Sequence, residues 1–347
     1  MVVALLFLSA QEAYSQMNRK SIKKNNRRIS HFKGRKFQFG KEKTYNALGI
    51  SLNALNYYGD LAPRPSRIST DVSFTRPGLG ISFTHRFGPR YALTAGFMYG
   101  TLSGGDAESA KKGDEENGVY RYNRNLSFRN RIKELSLVAT FDLFENQATY
   151  ISRVAWTPYA FLGIAVFHHN PQALAPLTDL NGNPLPGGGQ WVNLRELGTE
   201  GQFSDLAETD ANYGIKSYKL IQAAIPFGMG VRFRINSVMD FSAELAFRYL
   251  FTDYIDDVSK NYVDLGVLDS EMARAMSYRT NESDIVTEAQ LVPTVARNGA
   301  TYNLLPGYGQ EHPDNMRGNS KDKDIYMVTT FKLTYILGKT IHRAKFR

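Results

Sequence analysis

The chain of 347 residues carries 42 Lys or Arg against 33 Asp or Glu, a net charge of +9, and contains no cysteine. Without cysteine there can be no disulfide, no thiolate metal site and no acylated N-terminal cysteine. No apolar run reaches the ~18 residues of a transmembrane helix, so a membrane reading has to rest on strands.

In chain order, Val2 to Leu8 is a short apolar run followed by the small-x-small site Ala13-Tyr14-Ser15. This predicts a signal peptide over residues 1–15 that releases a chain beginning at Gln16. Residues 16–43 follow as a basic arm. Within it, residues 17–43 hold eleven Lys or Arg and one Glu, a net +10. Arg19, Lys20, Lys23, Lys24, Arg27, Arg28, Arg35 and Lys36 are its candidate contacts for an acidic partner. The arm interleaves Phe32, Phe37 and Phe39, a pattern also used on nucleic acid, but a secreted chain meets none.

The segment from residue 44 to residue 337 repeats a period of two, the side-chain period of a strand. Strands are expected at Leu48 to Tyr58, Leu79 to Phe87, Tyr91 to Tyr99, Leu135 to Leu143, Tyr159 to His168, Ile221 to Ile235, Met239 to Phe251 and Ile325 to Leu337. In the seventh, Met239, Phe241, Ala243, Leu245, Phe247, Tyr249 and Phe251 share one face, with Asp240, Ser242, Glu244 and Arg248 on the other. That length matches a tilted bilayer crossing, and the face ends in an aromatic pair, as membrane girdles do. Pro226, within the sixth strand, cannot donate to a ladder and suggests a bulge.

Connections alternate in length. Phe87 to Tyr91, Glu145 to Thr157 and Asn236-Ser237 are short, whereas 59–75, 103–131, 169–217 and 252–323 are long. The fold class that fits is all-β: an eight-stranded antiparallel transmembrane outer-membrane β-barrel with four long extracellular loops and both termini periplasmic. A soluble lipocalin-like barrel would alternate too, but with its apolar face turned inward. Residues 338–347 add four basic residues at the same end as the arm.

The polar faces place Arg86, Glu134, Asp142, Arg232, Arg234, Asp240, Glu244, Arg248 and Lys332 in the lumen. Eight strands enclose a space that side chains fill, so these charges should pair and close it rather than line a pore. Asp253, Asp256, Asp257 and Asp264 could offer oxygens to calcium, but they lack the spacing and glycine of a calcium loop. Turn capping and pairing with loop arginines is the expected role. Asp179 to Asn183 reads as a turn. Among the histidines, His168, His169 and His312 lie on the long-loop side, with no nucleophile motif beside them. No cofactor, metal or catalytic residue is expected.

At the exit of the seventh strand stands Arg248-Tyr249-Leu250-Phe251-Thr252-Asp253-Tyr254-Ile255-Asp256-Asp257. It resembles a motif of the PorG family, the small outer-membrane barrels of the type IX secretion system. Asn56-Tyr57-Tyr58-Gly59-Asp60-Leu61 after the first strand is similar to the same family, as are Gly163 to Pro171, which includes His168, and Arg317 to Tyr326. The resemblance spans residues 45 to 337, with Tyr57, Tyr58, Gly59, Asp60, His168, Asp253, Tyr254, Asp256 and Asp257 as its motif residues. It implies a non-enzymatic component of a secretion machine that anchors or assembles a periplasmic ring of the PorK lipoprotein and PorN, with outer-membrane lipid as its other partner. The residues themselves leave two alternatives open: a ligand-binding or adhesive surface barrel acting through its outer loops, and a loop-borne outer-membrane hydrolase.

Overall fold

A computed structural model describes residues 43–61, 74–110, 112–114, 118–321 and 323–338. The signal peptide, the basic arm up to residue 42 and the tail beyond residue 338 lie outside the described residues.

The described residues form twelve strands: β1 (Tyr45–Tyr58), β2 (Arg76–Arg86), β3 (Tyr91–Gly105), β4 (Ser127–Asp142), β5 (Trp156–His168), β6 (Pro171–Leu174), β7 (Trp191–Asn193), β8 (Ile221–Arg234), β9 (Met239–Leu250), β10 (Val292–Val295), β11 (Thr301–Leu304) and β12 (Ile325–Leu337). Eight of them form an antiparallel sheet in the order β3-β2-β1-β12-β9-β8-β5-β4, and pairing of β3 with β4 closes it into a barrel. Closure removes the sheet edges that would otherwise present unpaired backbone groups to lipid.

Parity decides which face meets which medium. Ile50, Ile81, Leu135, Ile164 and Met229 are each more than 60% exposed on the outside of the wall. Asn53, Glu134, Asp142, Asp240 and Ser242 point inward and are buried. The soluble alternative, an apolar lumen, is thereby excluded. So broad an apolar exterior has no place in water, and the chain is a barrel of the outer-membrane type. Aromatic rings edge the belt. At the short-turn end Phe87 stacks on Tyr91 with centroids 6.3 Å apart, and Phe144 meets Trp156 edge-on at 5.0 Å. At the long-loop end Tyr249 and Phe251 pack edge-on at 5.7 Å. A charge in this belt is costly, by about 2–4 kcal/mol at the midplane. Met229→Arg, in the middle of β8, should therefore lose most of the heat-modifiable, inserted barrel that Met229→Leu retains on gel electrophoresis. Equal insertion would mean that Met229 does not face lipid.

Two expectations need correction. The wall continues through β3 to Gly105 and resumes with β4 at Ser127, so the second long loop shrinks to residues 106–126. Pro226 causes no bulge. The β5–β8 ladder omits two residue pairs between Leu162↔Phe227 and Ala165↔Ala224 and resumes in the same register. Proline's missing N–H interrupts the ladder without inserting a residue.

The long loops are structured. β6 adds to the outer end of β4, β7 pairs with β6, and β10–β11 form a separate hairpin. Short helices occupy Asp106–Ser109, Gly118–Arg124, Leu194–Leu197 and Glu271–Ser277. Tyr262, Val263, Leu265, Leu268, Tyr278 and Tyr302 form an apolar core within the loops themselves. A second core, with Leu55, Leu102, Phe128, Phe167, Ile255 and Val258, joins the loops to the strand ends. The loops thus close over the barrel as a folded cap.

Candidate functional site

The lumen is a stack of charge pairs. Nearest the short turns, Arg153 reaches in from the 143–155 link. Its Nε donates to Asp240 Oδ1 at 3.0 Å, and its other nitrogens donate to the carbonyls of Tyr150, Asn236, Ser237 and Met239. Above it Asp142 accepts from Arg86 at 2.6 Å and from Arg232 at 3.0 Å. Glu244 then accepts from Lys332 and from Tyr159 Oη. Highest in the stack, Glu134 is paired with Arg248 at 3.1 Å and accepts from Tyr326 Oη at 2.6 Å. In low dielectric each carboxylate is tolerable only because a cation and further donors satisfy it. Among Ser51, Asn53, Ser82, Ser136, Glu244 and Lys332 a cavity of about 90 Å³ remains, room for a few waters.

Arg234 does not belong to this network. It is exposed at the rim and donates to the carbonyl of Arg153 at 2.6 Å, with no carboxylate partner among the described residues. Arg153, placed by a link without periodicity, fills that role instead.

Most motif residues meet where the cap sits on the wall; Tyr58, half-buried at the end of β1 on its outer face, is not among them. Tyr57, at the end of β1, donates from Oη to Asp324 at 2.6 Å and lies 2.7 Å from Asp256. A Cβ on Gly59 would stand 2.0 Å from that hydroxyl and 2.1 Å from Asp324 Oδ1, so only glycine fits there. Asp60 accepts from the Asn319 amide at 3.0 Å, while its own carbonyl accepts from Arg124. Asp253 accepts from Ser259 Oγ. Asp257 adopts φ +68°, which aspartate tolerates better than most residues. It accepts from Thr199 Oγ1 and Tyr218 Oη, and Tyr254 stacks on Tyr218 at 4.7 Å. Turn capping is as expected for Asp264, whose carboxylate accepts from the Gly266 amide, and for Asp179, which accepts from the amides of Asn181 and Asn183.

Three loops are tied together by Arg317, which is 1% exposed. Its Nη1 donates to Glu200 Oε1 at 3.0 Å, its Nη2 lies 3.7 Å from Asp257, and its carbonyl accepts from Arg124. Arg124 is in turn paired with Asp106 at 2.7 Å. Glu200, Arg124 and Asp106 carry no periodic signal in the sequence.

His168 stands apart. It is half-buried on the outer face, in register with Lys133, away from the Tyr57–Asp324 cluster. The buried ring at this level belongs to His169, which bonds the Lys219 carbonyl at 3.0 Å and stacks on Tyr218. His85 meets Asn46 and His312 meets Asp314. Among the described residues, no group of three or more His, Asp or Glu is arranged to hold a metal ion.

The acidic junction makes the cap sensitive to pH. Burial, and then the charge of Asp324, pushes the Asp253 carboxyl from its usual 3.8 up to about 8. Burial likewise raises Asp60 and Asp256, and it lifts Asp257 to about 6 although Arg317 opposes the shift. A carboxyl that holds its proton when folded stabilises most fully below its unfolded value, and that contribution is lost as pH rises through the folded value. His169 runs the other way. Burial lowers it from 6.5 to about 4, so its contribution is complete above 6.5 and lost as pH falls through 4. Amide exchange in residues 253–262, corrected for intrinsic rate, should show protection falling from neutral pH to about pH 9. Asp253→Asn should flatten that fall, and an unchanged slope would remove Asp253 from the cause.

The chain matches a domain family of unknown function, DUF6089, over residues 37–180. A search of curated proteins found no significant match. Among solved structures, the chain is similar to Neisserial surface protein A at 8% identity and TM-score 0.33, over 84% of this chain and 96% of that one. It is also similar to the attachment invasion locus protein Ail of Yersinia pestis, at 9% identity and TM-score 0.33 over 85% and 99%. A third is OprG from Pseudomonas aeruginosa, at 8% and 0.32 over 86% and 98%.

Proposed function

We propose that this protein is a non-enzymatic outer-membrane component that anchors or assembles a protein-secretion machine, with its short turns and both termini on the periplasmic side. The observation that carries this reading is the filled lumen. Paired charges occupy it from Asp240 to Glu134, Arg153 seals one end, and the cap covers the other. A lumen filled in this way leaves the outer surfaces of the barrel as the places where it would act. Tyr57, Gly59, Asp60, Asp256 and Asp257, gathered at the cap junction, support the resemblance to the PorG family. On that resemblance the partners are the PorK lipoprotein and PorN.

The basic arm, with Arg19, Lys20, Lys23, Lys24, Arg27, Arg28, Arg35 and Lys36, lies outside the described residues. Its charge is suited to steering an acidic partner in a salt-dependent way. Affinity recovery from detergent-solubilised membranes tests the proposal. The full chain should bring down the ring proteins, and a chain lacking residues 17–43 should recover less, most visibly at raised salt. Recovery without ring proteins at any salt concentration would overturn it. A surface-binding role is the second reading, favoured by the folded cap with its own core and by exposed Leu177, Phe203 and Val295 on it.

A further inference from the structure

Along the outer face of β4 the apolar series Phe141, Ala139, Leu137, Leu135 gives way, with no change of parity, to Lys133, Arg131 and Arg129. All seven point away from the lumen, so the strand that faces lipid through the belt turns basic where the belt ends. Tyr99, an exposed aromatic, sits in register with Lys133 and marks that level as the interface. Residues two apart on a strand lie about 7 Å from each other, so the three cations form a column about 13 Å tall.

No salt bridge among the described residues engages any of the three, although the lumen charges Arg86, Arg232, Arg248 and Lys332 are all paired. Their cross-strand neighbours are Tyr99, Thr101, Ser103, His168 and Gln172, none of them acidic. Arg129 is held in place, with its guanidinium 3.5 Å over the Trp191 ring and two of its nitrogens 3.3 Å from Gln172 Oε1. An ordered column of like charges repels itself unless an anion bridges it. At this height the anions at hand are lipid phosphates.

We propose that Arg129, Arg131 and Lys133 form a binding site for the phosphate groups of a phosphorylated lipid headgroup in the leaflet at the long-loop end. Arginine supplies a planar fork to phosphate and lysine a point charge. The proposal rests on the reading that the apolar belt lies in a bilayer, and it holds whichever proteins bind the short turns. It also gives the outward-facing His168 a place, beside Lys133 at the edge of this site.

The test uses the full chain in phosphatidylcholine nanodiscs with and without lipid A. Lipid A should bind the wild type and raise its melting temperature. Arg131→Gln with Lys133→Gln should weaken that binding about thirty-fold, taking about fivefold per interfacial cation. Arg131→Lys should restore most of it in the Lys133 background. Lys260→Gln with Lys321→Gln, which removes two exposed charges from the cap, should change nothing. Equal lipid A binding by wild type and the Arg131–Lys133 variant would overturn the site. Equally strong competition by inorganic phosphate would overturn the lipid as its ligand. Failure to enter nanodiscs of any composition would instead refute the membrane reading beneath it.

Discussion

Arg317→Leu should release the cap while leaving the barrel inserted. The guanidinium is buried against Glu200 and Asp257, and its loss leaves both carboxylates in low dielectric without their cation. Breaking a buried pair from one side costs about 3–5 kcal/mol. The cost falls on the cap, because Glu200, Asp257 and Arg317 all lie in loops and none belongs to the wall ladder. Protease should then cut within 194–217 or 252–321 in the variant under conditions where the wild type resists, with heat-modifiable mobility retained by the protected barrel fragment. Arg317→Lys should fall between the two, since one ammonium can reach Glu200 but cannot span both acceptors. Cap resistance equal to wild type in Arg317→Leu would show that the apolar core around Tyr262 and Tyr278 suffices to hold the loops.

The barrel was legible because its signal is local and periodic. Each strand announced its two faces within about ten residues, and the paired inward charges followed from putting opposite signs into a narrow lumen. Lys133, Arg131 and Arg129 ended the apolar alternation early and made β4 look shorter than it is. Above the bilayer a strand has no need of an apolar face, so periodicity stops while pairing continues, and Ser103-Gly104-Gly105 on β3 carries no strand signal for the same reason. The cap was legible only in part. Tyr57 and Asp257 stood out as motif residues, but their partners Asp324 and Arg317 lie 60 or more residues away along the chain. Nothing in a single sequence ties such positions together. Arg153 was missed because it comes from a link, where side-chain direction has no period to read, and His169 because adjacent residues at a strand end differ only in which way they turn.

Glu134→Ala should be among the most damaging single changes in the wall. It strips the carboxylate from Arg248 and the acceptor from Tyr326 Oη, and both groups are then stranded in the lumen. The expected loss is about 3–5 kcal/mol, seen as a lower urea midpoint for unfolding of the reconstituted barrel. Removing the cation as well should reverse most of the damage, because Arg248→Met fills similar volume without a charge. Glu134→Ala with Arg248→Met should therefore be more stable than Glu134→Ala alone, with a coupling of about 2 kcal/mol or more in the double-mutant cycle. The same cycle separates the two uses of a lumen charge. If the pair exists to fill and close the barrel, the double variant restores stability and planar-bilayer recordings stay silent. Stability restored together with ion conductance would mean that the charges themselves, and not only their volume, keep the lumen shut. Strictly additive single effects would show that Glu134 and Arg248 do not interact, and the filled lumen would lose the pair nearest the cap.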